Sequence, residues 1–546
     1  MKPVTTLIAA MLAGSAAALP TSITDTSLKA DTAMLSSDAF EGRRPGTPGG
    51  DKAVAYITQR MQAIGLKPGN HGKWTQDVPL VAITTDPATS LVLTDGATPL
   101  TLAYGTEVVL WTKRQVATQV LADSPVIFVG YGINAPEKGW NDYAGIDVRG
   151  KTVVFLVNDP DWQTKAAGTD AGPFDGRAET YYGRYTYKFE EAMRQGAAAA
   201  LVVHDTAPAG YPWNVVTTSW TGPQIDLDSD DRGMGRTGVE GWITKAAAEK
   251  LLASSGQDLA KLTVAAQSKG FTAVALPLKA STTLRNTLAR SASKNVIGIV
   301  PGTKDPGQTI IYTAHWDHLG RCPADKSGDD ICNGALDNAS GVAGLLALAG
   351  AFAKGGKPAR TVAFMAVTGE ESGLLGSRYY AEHPIYPLAT TAGGVNMDVL
   401  AVGGRTRDIV LSGGGKSDLD TLATAIAKTQ GRAVSPEPSP EKGGYFRSDH
   451  FSFAKLGVPM LRGSSGFDRI DGGTAAGQAA ADDYTAHRYH QPSDAYDPTW
   501  NWTGAIEDLD LYYAVGRQLA DSRDWPNWYS GAEFRAIRDT TAGQRK

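Results

Sequence analysis

The stretch Thr309-Ile-Ile-Tyr-Thr-Ala-His-Trp-Asp-His318 begins as an apolar run and ends in polar residues. Two similar apolar runs, Asn295 to Val300 and Thr361 to Val367, precede and follow it in the chain. Such runs are typical of strands that are buried on both faces. Residues 341–352, which are small and apolar, predict a helix packed closely on these strands. The pattern predicts an α/β fold whose mixed, mostly parallel central sheet has helices on both faces.

Acidic and histidine side chains follow these predicted strands. His315 comes directly after one, where ligands of open α/β sheets bind. Glu370 and Glu371 follow another, and two adjacent carboxylates are unfavourable unless one is protonated or a cation lies nearby. Asp398 interrupts a further apolar stretch, and a buried carboxylate without a partner is costly. A shared cation would resolve both costs.

Taken singly, these residues have ordinary structural explanations. Asp337 precedes the helix at 341, where a carboxylate also interacts favourably with the helix dipole. The two glutamates fit a solvated turn, and His490 lies in the polar loop Tyr489-His-Gln-Pro-Ser-Asp494. However, six of the eight histidines lie beyond residue 300, in the same half of the chain as the carboxylates. Imidazole and carboxylate groups together are ligands that zinc accepts.

Chain length, charge and the N-terminal segment limit the possible domain organisation, partners and location of the protein. A chain of 546 residues exceeds the size of one ordinary core, so we expect more than one domain. The net charge of -5 comes from acidic and basic residues mixed along the chain, which disfavours nucleic acid as a partner. Residues 1–18 have the pattern of a secretory signal, which predicts a periplasmic or secreted protein. The apolar run is too short for a spanning helix, so no stable membrane insertion is expected.

Five motifs in the second half of the chain occur in an order that resembles the zinc-dependent aminopeptidase and glutamate carboxypeptidase family. They are Ala314-His-Trp-Asp-His318, Gly334-Ala-Leu-Asp-Asn-Ala-Ser-Gly341, Gly369-Glu-Glu-Ser-Gly-Leu-Leu-Gly-Ser377, Asn396-Met-Asp398 and Tyr489-His-Gln-Pro-Ser-Asp494. The segment Ser37-Asp-Ala-Phe-Glu-Gly-Arg-Arg-Pro-Gly-Thr-Pro-Gly49 also resembles the N-terminal part of that family. The resemblance implies a phosphorylase/zinc-peptidase-like fold and a peptide substrate.

The resemblance also implies two zinc ions per chain. Asp337 would bridge the two ions, His315 and Asp398 would complete one site, and Glu371 and His490 would complete the other.

The same resemblance implies three catalytic roles. Glu370 would be the general base for a metal-activated water. Asp317 would accept the second N–H of the His315 ring and fix its orientation. Tyr489 would donate a hydrogen bond to the developing oxyanion.

Domain organisation follows from a change of pattern near residue 116. Residues 116–281 predict a small α/β unit that resembles the protease-associated domain inserted in some family members. We therefore expect a signal peptide at 1–18, an N-terminal part of the catalytic domain at 19–115, the insert at 116–281, and the zinc peptidase domain at 282–546. The insert would cover the active-site cleft of the zinc peptidase domain and limit which peptides enter it.

The stretch Arg447-Ser-Asp-His-Phe-Ser-Phe453 resembles the aminopeptidases of the family, which implies peptides with a free N-terminus as substrates. The alternatives are a glutamate-carboxypeptidase-like enzyme, a non-catalytic binding protein on the same fold, and a single-metal aminoacyl cyclase on a related fold. Arg447 and Arg462 would form a substrate carboxylate clamp or, alternatively, structural ion pairs. The oligomeric state is left open.

Cys322 and Cys332 are the two cysteines of the chain, and an exported protein meets an oxidising environment. We predict a disulfide between them, since two thiols at this spacing lack the paired C-x-x-C signature of structural zinc. The intact mass should rise by two hydrogens on reduction. Two thiols that react freely with an alkylating agent in the native, unreduced protein would contradict the pairing.

Overall fold

Two large β-sheets flanked by helices form the part of the chain that the structure, a computed structural model, describes: residues 23–96, 99–165, 172–174 and 178–545. The predicted signal segment lies outside these residues, and export stays a prediction. The strands are β1 Lys67–Pro68, β2 Thr75–Thr85, β3 Ser90–Thr94, β4 Leu100–Ala103, β5 Val108–Trp111, β6 Thr118–Phe128, β7 Asn134–Ala135, β8 Trp140–Asn141, β9 Thr152–Leu156, β10 Ala199–His204, β11 Pro223–Leu227, β12 Val239–Thr244, β13 Val274–Val300, β14 Asp305–His315, β15 Gly320–Arg321, β16 Ile331–Cys332, β17 Arg360–Val367, β18 Thr391–Asn396, β19 Asp408–Leu411, β20 Ala433–Ser435 and β21 Met460–Ser465.

The α-helices lie mostly between these strands. They are α1 Asp25–Leu35, α2 Pro48–Ile64, α3 Trp162–Lys165, α4 Tyr185–Arg194, α5 Thr206–Ala209, α6 Trp213–Trp220, α7 Lys245–Ser254, α8 Leu259–Ala266, α9 Gly341–Lys354, α10 Leu375–Glu382, α11 Asp418–Thr429, α12 His450–Ala454, α13 Gly473–His487, α14 Thr503–Asp521 and α15 Arg535–Thr540.

The sheet that contains β14, here called the large sheet, has the strand order β11, β2, β13, β17, β14, β18, β21, β19, β20. Its four central strands, β17, β14, β18 and β21, run parallel. The β2–β13 and β13–β17 pairs are antiparallel. The predicted α/β class with a mixed central sheet is therefore confirmed.

Helices cover both faces of the large sheet. Alternate side chains of a strand point to opposite faces, so Ile310 and Tyr312 of β14 join the core beneath α9 and α14, while Ile311 joins a core on the other face with residues of α10 and α12. Tyr312 also donates a hydrogen bond to the Tyr512 carbonyl of α14 (2.7 Å). The stretch Ala335–Lys354, which includes α9, is long and apolar enough to span a membrane by length and composition, but most of it is buried inside the protein.

The second sheet has the strand order β4, β3, β13, β6, β9, β10, β12, β5. Strand β13 belongs to both sheets, because residues 274–285 pair with β6 and residues 286–296 pair with β2. The sequence predicted a separate strand that begins at Asn295, whereas the chain runs as one strand from Val274 to Val300. Strands β3, β4 and β5, which precede residue 116, pair into the same sheet as the predicted insert, and the limits of that insert stay a prediction.

A short hairpin of β15 and β16 follows β14, and a disulfide between Cys322 and Cys332 closes it. Gly42 packs against this hairpin, since a Cβ there would lie 2.5 Å from the Gly320 oxygen and 2.6 Å from the Cys332 oxygen. The N-terminal segment is thereby in contact with the loop that follows β14.

Candidate metal centre

The carboxyl ends of the parallel strands bring the predicted site residues to one edge of the large sheet. His315 is the last residue of β14, Glu370 follows β17, and Asp398 follows β18. These strands are neighbours, so their ends meet in the crevice where ligands of open α/β sheets bind.

One group of ligand atoms forms around the buried ring of His315. Its Nε2 lies 3.3 Å from Asp337 Oδ1 and 3.5 Å from Asp398 Oδ1. One ligand atom from each of the three residues lies within 4.8 Å of the others, which is the spacing of a single metal site. Asp398 is also held by Arg462, whose Nη2 donates to its other oxygen at 3.3 Å.

A second group forms on the other side of Asp337. His490 Nε2 lies 3.4 Å from Asp337 Oδ2 and 3.1 Å from Glu371 Oε2. The other oxygen of Glu371 bonds to His318 Nδ1 at 2.6 Å. Asp337 thus presents one carboxylate oxygen to each group, which is the arrangement of a bridging ligand. The structure brings all five predicted ligands together.

The donor atoms fit zinc. The Nε2 atoms of His315, His318 and His490 are buried and have no hydrogen-bond partner among the described residues. A buried polar atom without a partner is costly, and zinc accepts imidazole nitrogen and carboxylate oxygen. Imidazole nitrogens that face carboxylate oxygens without forming hydrogen bonds to them are expected where a cation lies between the two groups.

The adjacent glutamates differ in their electrostatic surroundings. Burial raises the pKa of Glu370 well above its ordinary value; His315 opposes this, and the charges of Asp398 and Glu371 add to it. Burial and the charge of Asp337 would also raise the pKa of Glu371, but the hydrogen bond with His318 and the imidazole of His490 at 3.1 Å bring it below its ordinary value. Surroundings that move the pKa values of two carboxyl groups apart in this way point to different roles for the two groups.

The other two predicted catalytic residues lie beside the cluster. The Nδ1 of His315 is 3.2 Å from the main-chain oxygen of Asp317 and 3.9 Å from its carboxylate, so the carbonyl is the closer partner of the ring. The carboxylate accepts a hydrogen bond from the Glu370 N–H at 3.2 Å. Tyr489 is 45% exposed and its ring stacks on that of His490, with 3.8 Å between ring centres.

The two predicted clamp arginines lie in different surroundings. Arg462 pairs with Asp398, as the structural explanation expects. Arg447 is exposed, and its charged neighbours are Arg184 and Glu179 of the predicted insert.

Sequence reasoning did not assign three residues that organise the cluster. His318 orients Glu371. Asp494, which is fully buried, accepts hydrogen bonds from the N–H groups of Leu336 and Asp337, both at 3.1 Å.

The third of these is Asn338, whose side chain bonds to the Met397 oxygen (3.0 Å) and the Val399 N–H (3.1 Å), on either side of Asp398. All three lie inside the quoted motifs. The motifs could have pointed to these residues, but a motif does not show whether a side chain is buried or which group it contacts.

A cavity of about 1000 Å³ lies between the second sheet and the large sheet. Its walls include Glu137 and Glu179 from the predicted insert, and Gly444 and Tyr445 from the loop before α12. None of the candidate ligands lines this cavity. Arg462 links the two, since it donates to the Gly444 oxygen (3.4 Å) and to Asp398 (3.3 Å).

Comparison with known proteins identifies the segment that carries this cluster. Residues 295–514 match Peptidase family M28. This stretch, here called the M28 segment, is similar to that family and covers less than half of the chain. The M28 segment contains all the residues of the two ligand groups described above.

Known relatives match parts of the chain. A "Probable zinc metalloprotease" of Pyrenophora teres f. teres is 37% identical over 105 residues, which are 19% of this chain and 22% of that protein. "Aminopeptidase NAALADL1" of Mus musculus is 31% identical over 122 residues, or 21% of this chain and 15% of that protein. The chain thus spans about a fifth of the length of the fungal relative that it matches. The fungal relative is described as a probable zinc metalloprotease, and the mouse relative as an aminopeptidase.

Similar solved structures include the aminopeptidase from Aneurinibacillus sp. strain AM-1, at 19% identity, with 92% of this chain and 95% of that chain covered and a TM-score of 0.46. A zinc aminopeptidase from Bacillus subtilis is 18% identical, with 94% and 98% covered and a TM-score of 0.40.

Substitution of Asp494 tests whether this residue holds the loop that carries Asp337. Asp494→Ala leaves the N–H groups of Leu336 and Asp337 buried without an acceptor, at a cost of about 1–3 kcal/mol each. The loop that carries Asp337 should loosen, and zinc affinity should fall about 10- to 100-fold, as for other residues that hold metal ligands. Competition with a fluorescent chelator measures this. Asp483→Ala, on the exposed face of α13, is the control and should bind zinc like wild type; equal affinity in both variants would exclude the role of Asp494.

Proposed function

We propose that the protein is a two-zinc exopeptidase that removes the N-terminal residue of peptides. The observation that carries the proposal is the carboxylate of Asp337, which faces His315 with one oxygen and His490 with the other. His315, Asp337 and Asp398 would hold one ion, and Asp337, Glu371 and His490 the other. When bound, two such ions polarise a water molecule and the scissile carbonyl.

The chain's own residues would supply the proton transfers. Glu370 is half-buried beside His315 and the ligand Glu371, and burial raises its pKa, which makes its carboxylate a stronger base. It would accept the proton of the attacking water and return it to the leaving amine. Asp317 holds the Glu370 main chain in place, and His318 holds the ligand Glu371. Tyr489, stacked on His490, would donate to the developing oxyanion.

The charges around the cluster support a substrate with a free amine. Carboxylates, among them the half-buried Asp398 and the fully buried Asp449, lie near His315 and Glu370, and a protonated N-terminus is attracted to such surroundings. A substrate carboxylate would instead need an unpaired cation beside the ligands. Arg462 already pairs with Asp398, and Arg447 neighbours Glu179. These contacts favour the aminopeptidase over the glutamate-carboxypeptidase-like alternative.

The cavity between the two sheets supports a role for the predicted insert in selecting peptides. Glu137 and Glu179 form part of its wall opposite Tyr445. An insert that closes one side of the space next to Asp398 would limit the length and shape of the peptide that reaches the cluster.

Glu370→Gln tests the proton-transfer role. The amide keeps the size of the side chain and removes its basicity, so zinc content should stay at two ions per chain while kcat falls by about 10²- to 10⁴-fold. Metal analysis and hydrolysis of leucine p-nitroanilide give the two readouts. Glu382→Gln, at an exposed end of α10, is the control and should keep wild-type turnover. Near-normal turnover of the Glu370 variant would remove it from this role.

Substrate blocking tests the direction of cleavage. Dipeptides and tripeptides with a free N-terminus should be cleaved at least about 100-fold faster, in kcat/KM, than their N-acetylated forms, because acetylation removes the charged amine. C-terminal amidation should change the rate little. Preference for N-acetylated peptides with a free C-terminus would favour the glutamate-carboxypeptidase-like alternative. Zinc binding without hydrolysis of either set would favour the non-catalytic binding protein.

A further inference from the structure

Arg43 is a fully buried cation in the N-terminal segment Ser37 to Gly49. Its guanidinium donates to four main-chain oxygens. Nε bonds to Trp316 (2.9 Å), Nη1 to Leu35 (2.9 Å) and Asn333 (2.5 Å), and Nη2 to Gly334 (2.9 Å). One side chain therefore joins the end of α1 to two loops of the M28 segment.

Both loops carry candidate zinc ligands. Trp316 follows His315 directly, and Gly334 begins the stretch that leads to Asp337. The main-chain oxygen of Arg43 also accepts a hydrogen bond from the His318 N–H at 3.4 Å. Arg43 thus fixes the separation of the two loops whose ligands, His315 and Asp337, face each other.

The backbone of residues 41–43 has an unusual conformation that directs the Arg43 side chain into the protein. Glu41, Gly42 and Arg43 have φ angles of 50°, 67° and 50°, which is the left-handed region that glycine tolerates and other residues rarely adopt. Such conformations persist only where the surroundings hold them. Here Gly42 fits against the oxygens of Gly320 and Cys332, where a side chain has no room.

The charge of Arg43 faces the acidic cluster. Burial lowers the pKa of its guanidinium to about 10, and the carboxylates of Asp494, Asp317, Asp337 and Glu371 oppose that shift. Arg43 therefore remains charged at neutral pH. Among the described residues, the hydrogen bonds of its side chain go to carbonyl oxygens, so the carboxylates remain available for other cations.

We propose that Arg43 is a positioning residue that holds the His315 and Asp337 loops in the geometry for zinc before the metal binds. The inference rests on the proposed zinc site. This role needs the three nitrogens of the guanidinium, because the four main-chain oxygens that accept from them lie on three separate segments of the chain. A lysine keeps the charge, but its single ammonium group cannot reproduce these bonds.

The experiment compares Arg43→Met and Arg43→Lys with Arg538→Met in the full chain. Arg538 is the matched control, since it is also buried and donates to the oxygens of Thr391 (2.9 Å) and Ala392 (3.1 Å), on the strand β18. Zinc affinity is measured by competition with a fluorescent chelator. Hydrogen exchange of residues 316–320 and 333–340 is measured in the metal-free proteins.

Both Arg43 variants should bind zinc about 10- to 100-fold more weakly than wild type. Their two loops should exchange faster in the metal-free state. Arg538→Met should lose stability and keep wild-type zinc affinity and loop exchange. Full affinity and unchanged exchange in Arg43→Lys would overturn the proposal, as would an equal loss of affinity in the Arg538 variant.

The two readouts separate this inference from the proposed function. A wild-type chain that binds no zinc contradicts the proposed function, while loop exchange in the metal-free variants still decides the role of Arg43. If Arg43→Met does not fold, Arg43→Lys carries both measurements.

Discussion

The arrangement of this protein depends on the crowding of buried carboxylates at one edge of the large sheet. Asp337 lies between His315 and His490, with Asp398 on the His315 side and Glu371 on the His490 side. Charges of one sign at this spacing repel strongly when water is excluded. The surrounding contacts therefore hold these acids close together, and bound cations would offset their charge.

The scaffold meets this constraint with rigid supports on several sides. The Asp337 loop is held by Asp494 and, through Asn338, by the main chain on both sides of Asp398. Arg43 joins the same loop to the one that carries His315. These supports come from distant parts of the chain, so the ligands are fixed by tertiary contacts and not by a local motif.

The two sheets are connected by more than the long strand β13. Tyr181, beside α4, packs its ring against Phe446 and Phe451, and Lys455 pairs with Glu190 at 2.6 Å. Aromatic contacts and a partly buried ion pair of this kind hold the second sheet over the loop before α12. These contacts join the second sheet to the segment that also lines the cavity between the sheets.

The sequence by itself determined the apolar strands, the helix α9 and the candidate ligands. Strand ends and motifs are local features: continuous apolar runs predicted buried strands, and His315, Glu371 and Asp398 followed them directly. Only the tertiary structure decided which side chains support these ligands. The supporting contacts join loops that are far apart in the chain and adjacent in space. They are made by the buried side chains of His318, Asp494 and Arg43. The continuation of β13 through both sheets was likewise decided by its pairing with β6 and β2, because hydrogen bonds between strands are not encoded in the period of one strand.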